Sequence, residues 1–78
     1  MNKHRGTAQL VRELRRRLGL TQEKMAARLG VTFPTINRWE NGRAKPSPLA
    51  LKQIEELLVG LGDIGQDLRA KYFREEKI

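Results

Sequence analysis

The chain has 78 residues, of which 38% are hydrophobic and 32% are charged, and its formal net charge is +7. A chain this short buries only about 60% of its unfolded surface, so we expect one domain with a small core. It contains no cysteine, which excludes disulfides, thiolate zinc sites and a cysteine nucleophile. No apolar run reaches the roughly 18 residues of a membrane span, and no signal-peptide pattern is present. We expect a soluble, cytoplasmic protein without a metal or cofactor, because the single histidine, His4, is predicted to be solvated.

Positive charge is concentrated in the N-terminal part of the chain. Residues 1–47 hold eleven Lys and Arg against three Glu, a net charge of +8. Residues 48–78 hold five Lys and Arg against six Asp and Glu, a net charge of −1. A positive field confined to one part of a chain suits a polyanionic partner. Nucleic acid is therefore the favoured partner, and an anionic membrane surface or an acidic protein are the alternatives.

The hydrophobic pattern predicts helices separated by short turns, with no alternating strand pattern. The first helix is predicted to start at Thr7 and to end before Gly19, a residue suited to a left-handed C-terminal cap. Its apolar face consists of Leu10, Val11, Leu14 and Leu18. Thr21 and Thr32 are the predicted N-caps of the second and third helices, and Gly30 is the predicted end of the second.

The second part of the chain predicts two more helices. A serine–proline pair at 47–48 is typical of a helix start, and Gly60 is the predicted end of that fourth helix. The stretch 60–65 contains three glycines and is interpreted as a hinge. Asp63, with Gln66 three residues later, resembles a capping box that would start a fifth helix.

Residues 21–42 carry the most information about function. Two short helices joined by a three- to four-residue turn must cross at a steep angle. The close approach needs a small residue, Ala26, and the turn needs a residue that tolerates positive φ, Gly30. Apolar residues close the underside at Met25, Leu29, Val31, Ile36 and Trp39. The joint pattern predicts a helix-turn-helix in which Gln22 to Gly42 enters the major groove.

Over residues 8–58 the chain resembles the XRE family of Cro- and phage-repressor-like DNA-binding domains. The resemblance rests on Leu-Gly-Leu-Thr-Gln-Glu at 18–23, Leu-Gly-Val-Thr at 29–32, Trp-Glu-Asn-Gly-Arg at 39–43 and Lys-Pro at 45–46. It implies an all-α, lambda-repressor-like bundle of four or five helices whose second motif helix reads DNA. The expected organisation is a flexible N-terminal arm at 1–6, the helix-turn-helix domain at 7–59 and a C-terminal helix at 60–78.

The resemblance also implies roles for individual side chains. Base reading falls to Phe33, Pro34, Asn37 and Arg38. Phosphate contact falls to Gln22, Asn41, Arg43 and Lys45, and we expect it also of Thr32, Thr35, Arg16 and Arg17. Arg15 and Glu40 match a pair that family members use as a structural salt bridge between helix one and the end of helix three.

Two of the four base-reading positions depart from the family pattern. Phe33 and Pro34 stand where relatives often have glutamine or serine, and neither side chain can hydrogen-bond to a base. Phe33 would pack on a thymine methyl group or, alternatively, be half-buried against helix two. Arg38 suits guanine and Asn37 suits adenine, although either side chain could bind phosphate instead. Arg16 and Arg17 have the alternative of a solvated face.

The predicted function is sequence-specific binding of double-stranded DNA in the major groove by a nucleoid-associated transcriptional regulator, most simply a repressor. Two polar readers are few against a genome of competing sites. We therefore expect a homodimer on a two-fold related site, with half-sites about one helical turn apart. The expected dimer seam is Leu61, Ile64, Leu68, Tyr72 and Phe73. The alternative is that these residues close the core of the monomer.

Three other functions use the same module. An antitoxin-type regulator would bind a toxin protein through its C-terminal segment, and a transcription cofactor would bridge proteins while binding DNA poorly. The domain could also target a restriction or modification system. No enzyme is expected, because the paired carboxylates at 55–56 and 75–76 are adjacent in sequence and adjacent helical residues do not converge on one site.

Overall fold

The computed structural model describes residues 5–73, which form five α-helices and no strand. The helices are α1 (Arg5–Leu18), α2 (Gln22–Leu29), α3 (Phe33–Glu40), α4 (Pro48–Gly60) and α5 (Asp63–Tyr72). The predicted all-α bundle is confirmed. Because α1 begins at Arg5 rather than Thr7, only residues 1–4 of the predicted arm, His4 among them, lie outside the described residues, as do residues 74–78. No helix in the described part is long and apolar enough to cross a membrane.

Hydroxyl side chains start three of the helices, as predicted. The side chains of Thr21, Thr32 and Ser47 accept hydrogen bonds from backbone N–H groups three residues later. All three capping residues have extended backbone. Each cap satisfies one of the N–H groups that a helix start leaves without an internal partner, which is worth about 1 kcal/mol. The starts of α2, α3 and α4 are therefore encoded locally.

The start of α5 differs from the prediction. Its N-cap is Gly62, with φ of 64°, and no side chain caps the helix. The predicted capping box of Asp63 and Gln66 is therefore wrong, because Asp63 is already the first helical residue. The predicted hinge is also wrong. Only Leu61 and Gly62 separate α4 from α5, and Gly65 is buried within α5.

Helices α1, α2 and α3 end in the same way, with a glycine in the left-handed region: Gly19, Gly30 and Gly42. The residue after each glycine donates its N–H to a carbonyl five residues back, at 3.0 Å for Leu20 to Arg15, 2.9 Å for Val31 to Ala26 and 2.9 Å for Arg43 to Arg38. This is the Schellman arrangement, and it turns the chain sharply away from the helix axis. The second of these turns, at Gly30, directs the chain from α2 into α3.

The core lies between all five helices. Its buried residues are Leu10, Val11, Leu14, Met25, Ala26, Leu29, Ile36, Trp39, Ala50, Ile54, Leu58 and Leu68. The predicted underside of the motif is part of this cluster, with Val31 packed against it. The apolar faces of α2 and α3 are thus covered by the rest of the domain, which leaves their polar faces outward.

The residues of the expected dimer seam are divided between the core and the surface. Leu68 is 6% exposed and belongs to the core, while Leu61, Tyr72 and Phe73 are partly buried against it. Ile64 is 62% exposed. Four of the five residues therefore contribute to closing the monomer, and Ile64 alone of the five presents most of its side chain outward.

Candidate nucleic-acid interface

Helix α3 has one buried and one exposed face. Ile36, Trp39 and Glu40 are 0%, 5% and 3% exposed. The opposite face carries Phe33, Pro34, Asn37 and Arg38, all exposed, and continues into exposed Asn41 just past the helix. The predicted base-reading positions therefore lie together on one outward face. Phe33 is 45% exposed, so its ring is only partly covered.

A buried carboxylate anchors the C-terminal end of α3. Arg15 of α1 donates from Nε to Glu40 Oε2 at 2.7 Å and from Nη2 to Glu40 Oε1 at 3.0 Å. This two-pronged contact has defined geometry, and Glu40 is almost fully buried. Arg15 also donates from Nη1 to the carbonyl of Leu20 at 3.2 Å. One guanidinium therefore ties together α1, the turn before α2 and the end of α3.

Two further side chains hold Glu40, and sequence reasoning missed both contacts. Arg12 Nη2 donates to the backbone carbonyl of Glu40 at 2.8 Å, and Gln22 Nε2 donates to Glu40 Oε1 at 2.9 Å. Arg12 lies one turn before Arg15 on α1, and helix C-termini attract cations because their last carbonyls lack internal partners. The position of Arg12, one helical turn before Arg15, was therefore a sequence signal for its contact with the Glu40 carbonyl. The sequence contains no comparable signal for Gln22, which the family resemblance assigns to phosphate.

The surroundings of Glu40 keep its carboxyl group ionised. Burial alone raises the pKa of Glu40, but hydrogen bonds from Arg15 and Gln22, with the nearby charges of Arg15 and Arg12, outweigh burial and lower that pKa below its usual range. At neutral pH Glu40 is therefore a carboxylate, whose oxygens accept hydrogen bonds and donate none.

The polar contacts continue from Glu40 to the exposed face of α3. Gln22 donates to Glu40 with its amide nitrogen and accepts from Asn37 Nδ2 with its amide oxygen, at 3.3 Å. Asn37 Oδ1 in turn accepts from Asn41 Nδ2 at 3.0 Å. We call Glu40, Gln22, Asn37 and Asn41 the amide chain. It links the buried anchor of the helix to two residues of the predicted DNA-contacting surface.

The other residues predicted to contact phosphate are distributed around α3. Arg43 and Lys45 are exposed in the loop that follows the helix. Thr32 and Thr35 share a hydrogen bond between their hydroxyl groups, at 2.9 Å, at the start of the helix. These four residues flank the predicted base-reading face at both ends. Arg16 is exposed on α1, with its side chain 3.8 Å from Glu13.

Arg17 has two partners that are distant in sequence, Ile64 and Asp67, and one that lies a helical turn away, Glu13. Its Nη1 donates to Asp67 Oδ1 and to the carbonyl of Ile64, both at 2.6 Å, and its Nε lies 3.4 Å from Glu13 Oε2. The Arg17 hydrogen bond is the main reason that the pKa of Asp67 falls below its ordinary value. Arg17 thus joins α1 to α5, and a phosphate contact would require it to leave these partners.

Comparison with known proteins identifies this arrangement. A family model described as helix-turn-helix matches residues 11–58, well over half of the chain. The chain belongs to the XRE-type helix-turn-helix family. A protein of Methanothermobacter thermautotrophicus, named as an uncharacterized HTH-type transcriptional regulator, is 49% identical over 49 residues, which is 63% of this chain and 71% of that protein. No solved structure was found to match the chain.

The matched region of this helix-turn-helix domain runs from α1 to α4. It includes both motif helices, the Arg15–Glu40 contact and the basic loop with Arg43 and Lys45, and it stops before α5. Because the family is one of DNA-binding domains, DNA is the macromolecular partner that membership implies. Helix α5 lies outside the matched region, and it packs mainly against α1 and α4.

Proposed function

We propose that the domain binds double-stranded DNA sequence-specifically by placing α3 in the major groove. The observation that carries the proposal is the exposed face of α3, which presents Asn37 and Arg38, on a helix whose other face is buried and whose end is fixed through Glu40. An α-helix fits the major groove, where each base pair has a distinct pattern of donors and acceptors. A rigidly held helix can present side chains to that pattern in one register.

Arg38 is the side chain best placed to read a base pair. It is exposed in the last turn of α3, and no residue of the described chain forms a hydrogen bond or salt bridge with its guanidinium. A free guanidinium can donate two parallel hydrogen bonds to guanine O6 and N7. We propose a G·C pair as the target of Arg38, and contact with a thymine methyl group as the contribution of Phe33.

Arg43 and Lys45 are proposed to bind phosphates beside the groove. The Gly42 turn, closed by the hydrogen bond from Arg43 N–H to the Arg38 carbonyl, sets the direction in which the basic loop leaves α3. Phosphate contacts fix the position of a protein on the duplex but carry no sequence information. The two arginines, five residues apart, should therefore have separable roles.

Replacing Arg38 or Arg43 by alanine tests this separation. Arg38→Ala should relax one position of the site selected from a random duplex pool, losing about tenfold in discrimination there. Arg43→Ala should weaken binding to all sequences alike and reduce the slope of log affinity against log salt by about 0.9, the value for one phosphate contact. Fluorescence anisotropy at several salt concentrations, together with selection and sequencing, measures both effects.

Exposed Arg28 on α2 provides a matched control, because Arg28→Ala removes the same charge from a residue with no proposed DNA contact. An unchanged selected site for Arg38→Ala would refute the base-reading role. A salt slope as steep for Arg43→Ala as for the unmodified protein would refute the phosphate contact. Flat binding curves of the unmodified protein on every duplex at low salt would refute the proposed function itself.

We further propose that this DNA binding regulates transcription, by repression, because occupying the groove excludes other proteins from the same DNA. The name of the Methanothermobacter thermautotrophicus relative, an HTH-type transcriptional regulator, supports the regulatory role. A fusion of a promoter carrying the selected site to a reporter gene tests the direction of control. Repression predicts lower reporter output when the protein is expressed, and the Arg38→Ala variant should restore the output.

We propose that two copies bind one two-fold related site. Among the residues that the structure describes, the exposed large apolar ones apart from Phe33 are Leu49, Val59 and Ile64, and the last two flank the α4–α5 turn. On a duplex with two half-sites about one helical turn apart, binding should be cooperative and should saturate at two protomers. Val59→Ser with Ile64→Ser should abolish the cooperativity while leaving binding to one half-site unchanged. Sedimentation of the protein–DNA complex measures the stoichiometry, and a ratio of one protomer per site would exclude the dimer.

A further inference from the structure

The amide chain contains an ordered series of donors and acceptors. A side-chain amide can be turned either way, since its oxygen and its nitrogen are similar in size. A carboxylate has no such freedom, because both of its oxygens accept hydrogen bonds. Glu40, which is 3% exposed and ionised, must therefore receive the nitrogen of Gln22 and not its oxygen.

This constraint passes along the series one residue at a time. With the nitrogen of Gln22 on Glu40, its oxygen faces Asn37, so Asn37 must offer Nδ2, as the 3.3 Å contact shows. The oxygen of Asn37 is then on the opposite side, where Asn41 Nδ2 donates to it at 3.0 Å. Reversing any one amide would place two donors or two acceptors against each other. The buried carboxylate therefore determines the orientation of an amide on the surface.

The orientation leaves the Asn37 amide with a defined remaining capacity for hydrogen bonding. One of its two N–H groups is used by Gln22, and one lone pair of its oxygen is used by Asn41. One N–H and one lone pair remain on an exposed side chain. In the major groove, adenine presents N7 as an acceptor beside the N6 amino group as a donor, which complements this remaining pair.

We propose that Gln22 and Asn41 are positioning residues that determine specificity, since they hold the Asn37 amide in the orientation that selects adenine. This rests on the proposed function, because it assumes that α3 lies in the major groove. It assigns Gln22 a different role from the phosphate contact that the family resemblance implies. It also makes Glu40 the origin of a base preference, in addition to its role in holding α3 in place.

The test replaces Gln22 by methionine, which has a similar length and no amide. The unmodified protein should prefer adenine by about tenfold at the base pair that contacts Asn37, and Gln22→Met should reduce that preference to about twofold. Preference at the position read by Arg38 should not change. Asn37→Ala identifies the Asn37 position independently, and Glu23→Gln, on the adjacent exposed residue of α2, is the matched control, expected to change affinity for all sequences equally.

A second measurement does not depend on DNA. In the free protein, NMR should show slow hydrogen exchange with solvent for the Asn37 side-chain N–H group that donates to Gln22, and a wide chemical-shift separation between the two N–H signals of that amide. Gln22→Met should speed the exchange and narrow the separation, while the backbone spectrum remains that of the folded domain.

The outcomes separate the two proposals. A uniform loss of affinity with an unchanged adenine preference would show that Gln22 is a phosphate contact and would overturn the inference. Identical Asn37 signals in the unmodified protein and in Gln22→Met would overturn it as well. If the unmodified protein selects no sequence at all, the proposed function fails, and the NMR result then reports on the amide chain alone.

Discussion

Glu40→Ala is expected to lower the free energy of unfolding by about 3 kcal/mol, the lower end of the range for removing one partner of a buried ion pair. The carboxylate is 3% exposed and accepts three hydrogen bonds, two from Arg15 and one from Gln22. Removing it leaves the guanidinium of Arg15, 22% exposed, without its charged partner. Urea denaturation followed by circular dichroism measures the loss.

Glu13→Ala is the matched control for this change. Glu13 also pairs with an arginine, but its side chain is 39% exposed and the pair lies on the surface of α1. Surface pairs of this type contribute about 0.5 kcal/mol. A loss for Glu40→Ala no larger than that for Glu13→Ala would show that Glu40 does not anchor α3.

The lowered pKa of Glu40 also predicts how stability depends on pH. A carboxyl group whose pKa is lower in the folded state stabilises the fold fully above its unfolded value, about 4.3, and loses that effect as the pH falls through the lowered value. Compared with Glu40→Gln, the unmodified protein should therefore be more stable at neutral pH, and the difference should shrink below about pH 4. Asp67, whose pKa is lowered by Arg17, titrates in both proteins and cancels in the difference. A pH-independent difference would contradict the assignment.

Gly65→Ala is expected to destabilise the domain by about 2 kcal/mol, because it adds a methyl group where two helices touch. A Cβ on Gly65 would lie 2.6 Å from the carbonyl oxygen of Leu58 and 3.1 Å from Leu61 Cβ. The first of these is a backbone atom within α4, so the helices themselves must separate. Alanine favours helix over glycine by about 1 kcal/mol, which offsets part of this cost. Thermal unfolding and hydrogen exchange of the α5 amides report the effect.

Gly60→Ala is the matched control, with the opposite expected sign. Gly60 lies in the last turn of α4, and a Cβ added there would have no atom within 4 Å outside its own helix and chain neighbours. Helix propensity then acts alone, and the substitution should stabilise the domain by up to about 1 kcal/mol. Two Gly→Ala changes five residues apart should thus move the unfolding midpoint in opposite directions. Stabilisation by both would mean that the approach of α5 to α4 at Gly65 is not a close packing contact.

The fold was largely predictable because the signals that specify it are local. Thr21, Thr32 and the serine–proline pair at 47–48 act on backbone groups three residues away, and Gly19 and Gly30 act on carbonyls in the preceding turn. The same local reasoning failed at α5. There, Gly62 and the close approach at Gly65 depend on packing against α4, which a window of a few residues does not contain.

The candidate site was predictable only in part. The exposed face of α3 follows from helical periodicity, because Ile36 and Trp39 fix which side is buried. The contacts from Gln22 to Glu40 and from Arg17 to Asp67 join residues 18 and 50 positions apart. Helical periodicity relates residues a few positions apart, so it contains no information about contacts at such separations. The difference matters most at Gln22, since the family resemblance assigned its side chain to phosphate and the structure bonds that side chain to Glu40 and Asn37 of α3.

The uneven distribution of charge has a consequence for how the domain reaches its target. The +8 of residues 1–47 and the −1 of residues 48–78 place the excess of positive charge in the part of the chain that contains α1 to α3, so we expect a polyanion to orient the domain as it approaches. Most encounters should then bring α1 to α3 toward the polyanion first, which raises the fraction of collisions that occur in a productive orientation. The rate of association with DNA should be high at low ionic strength and fall as salt screens the field, and loose contacts with any phosphate backbone should let the domain slide along the duplex.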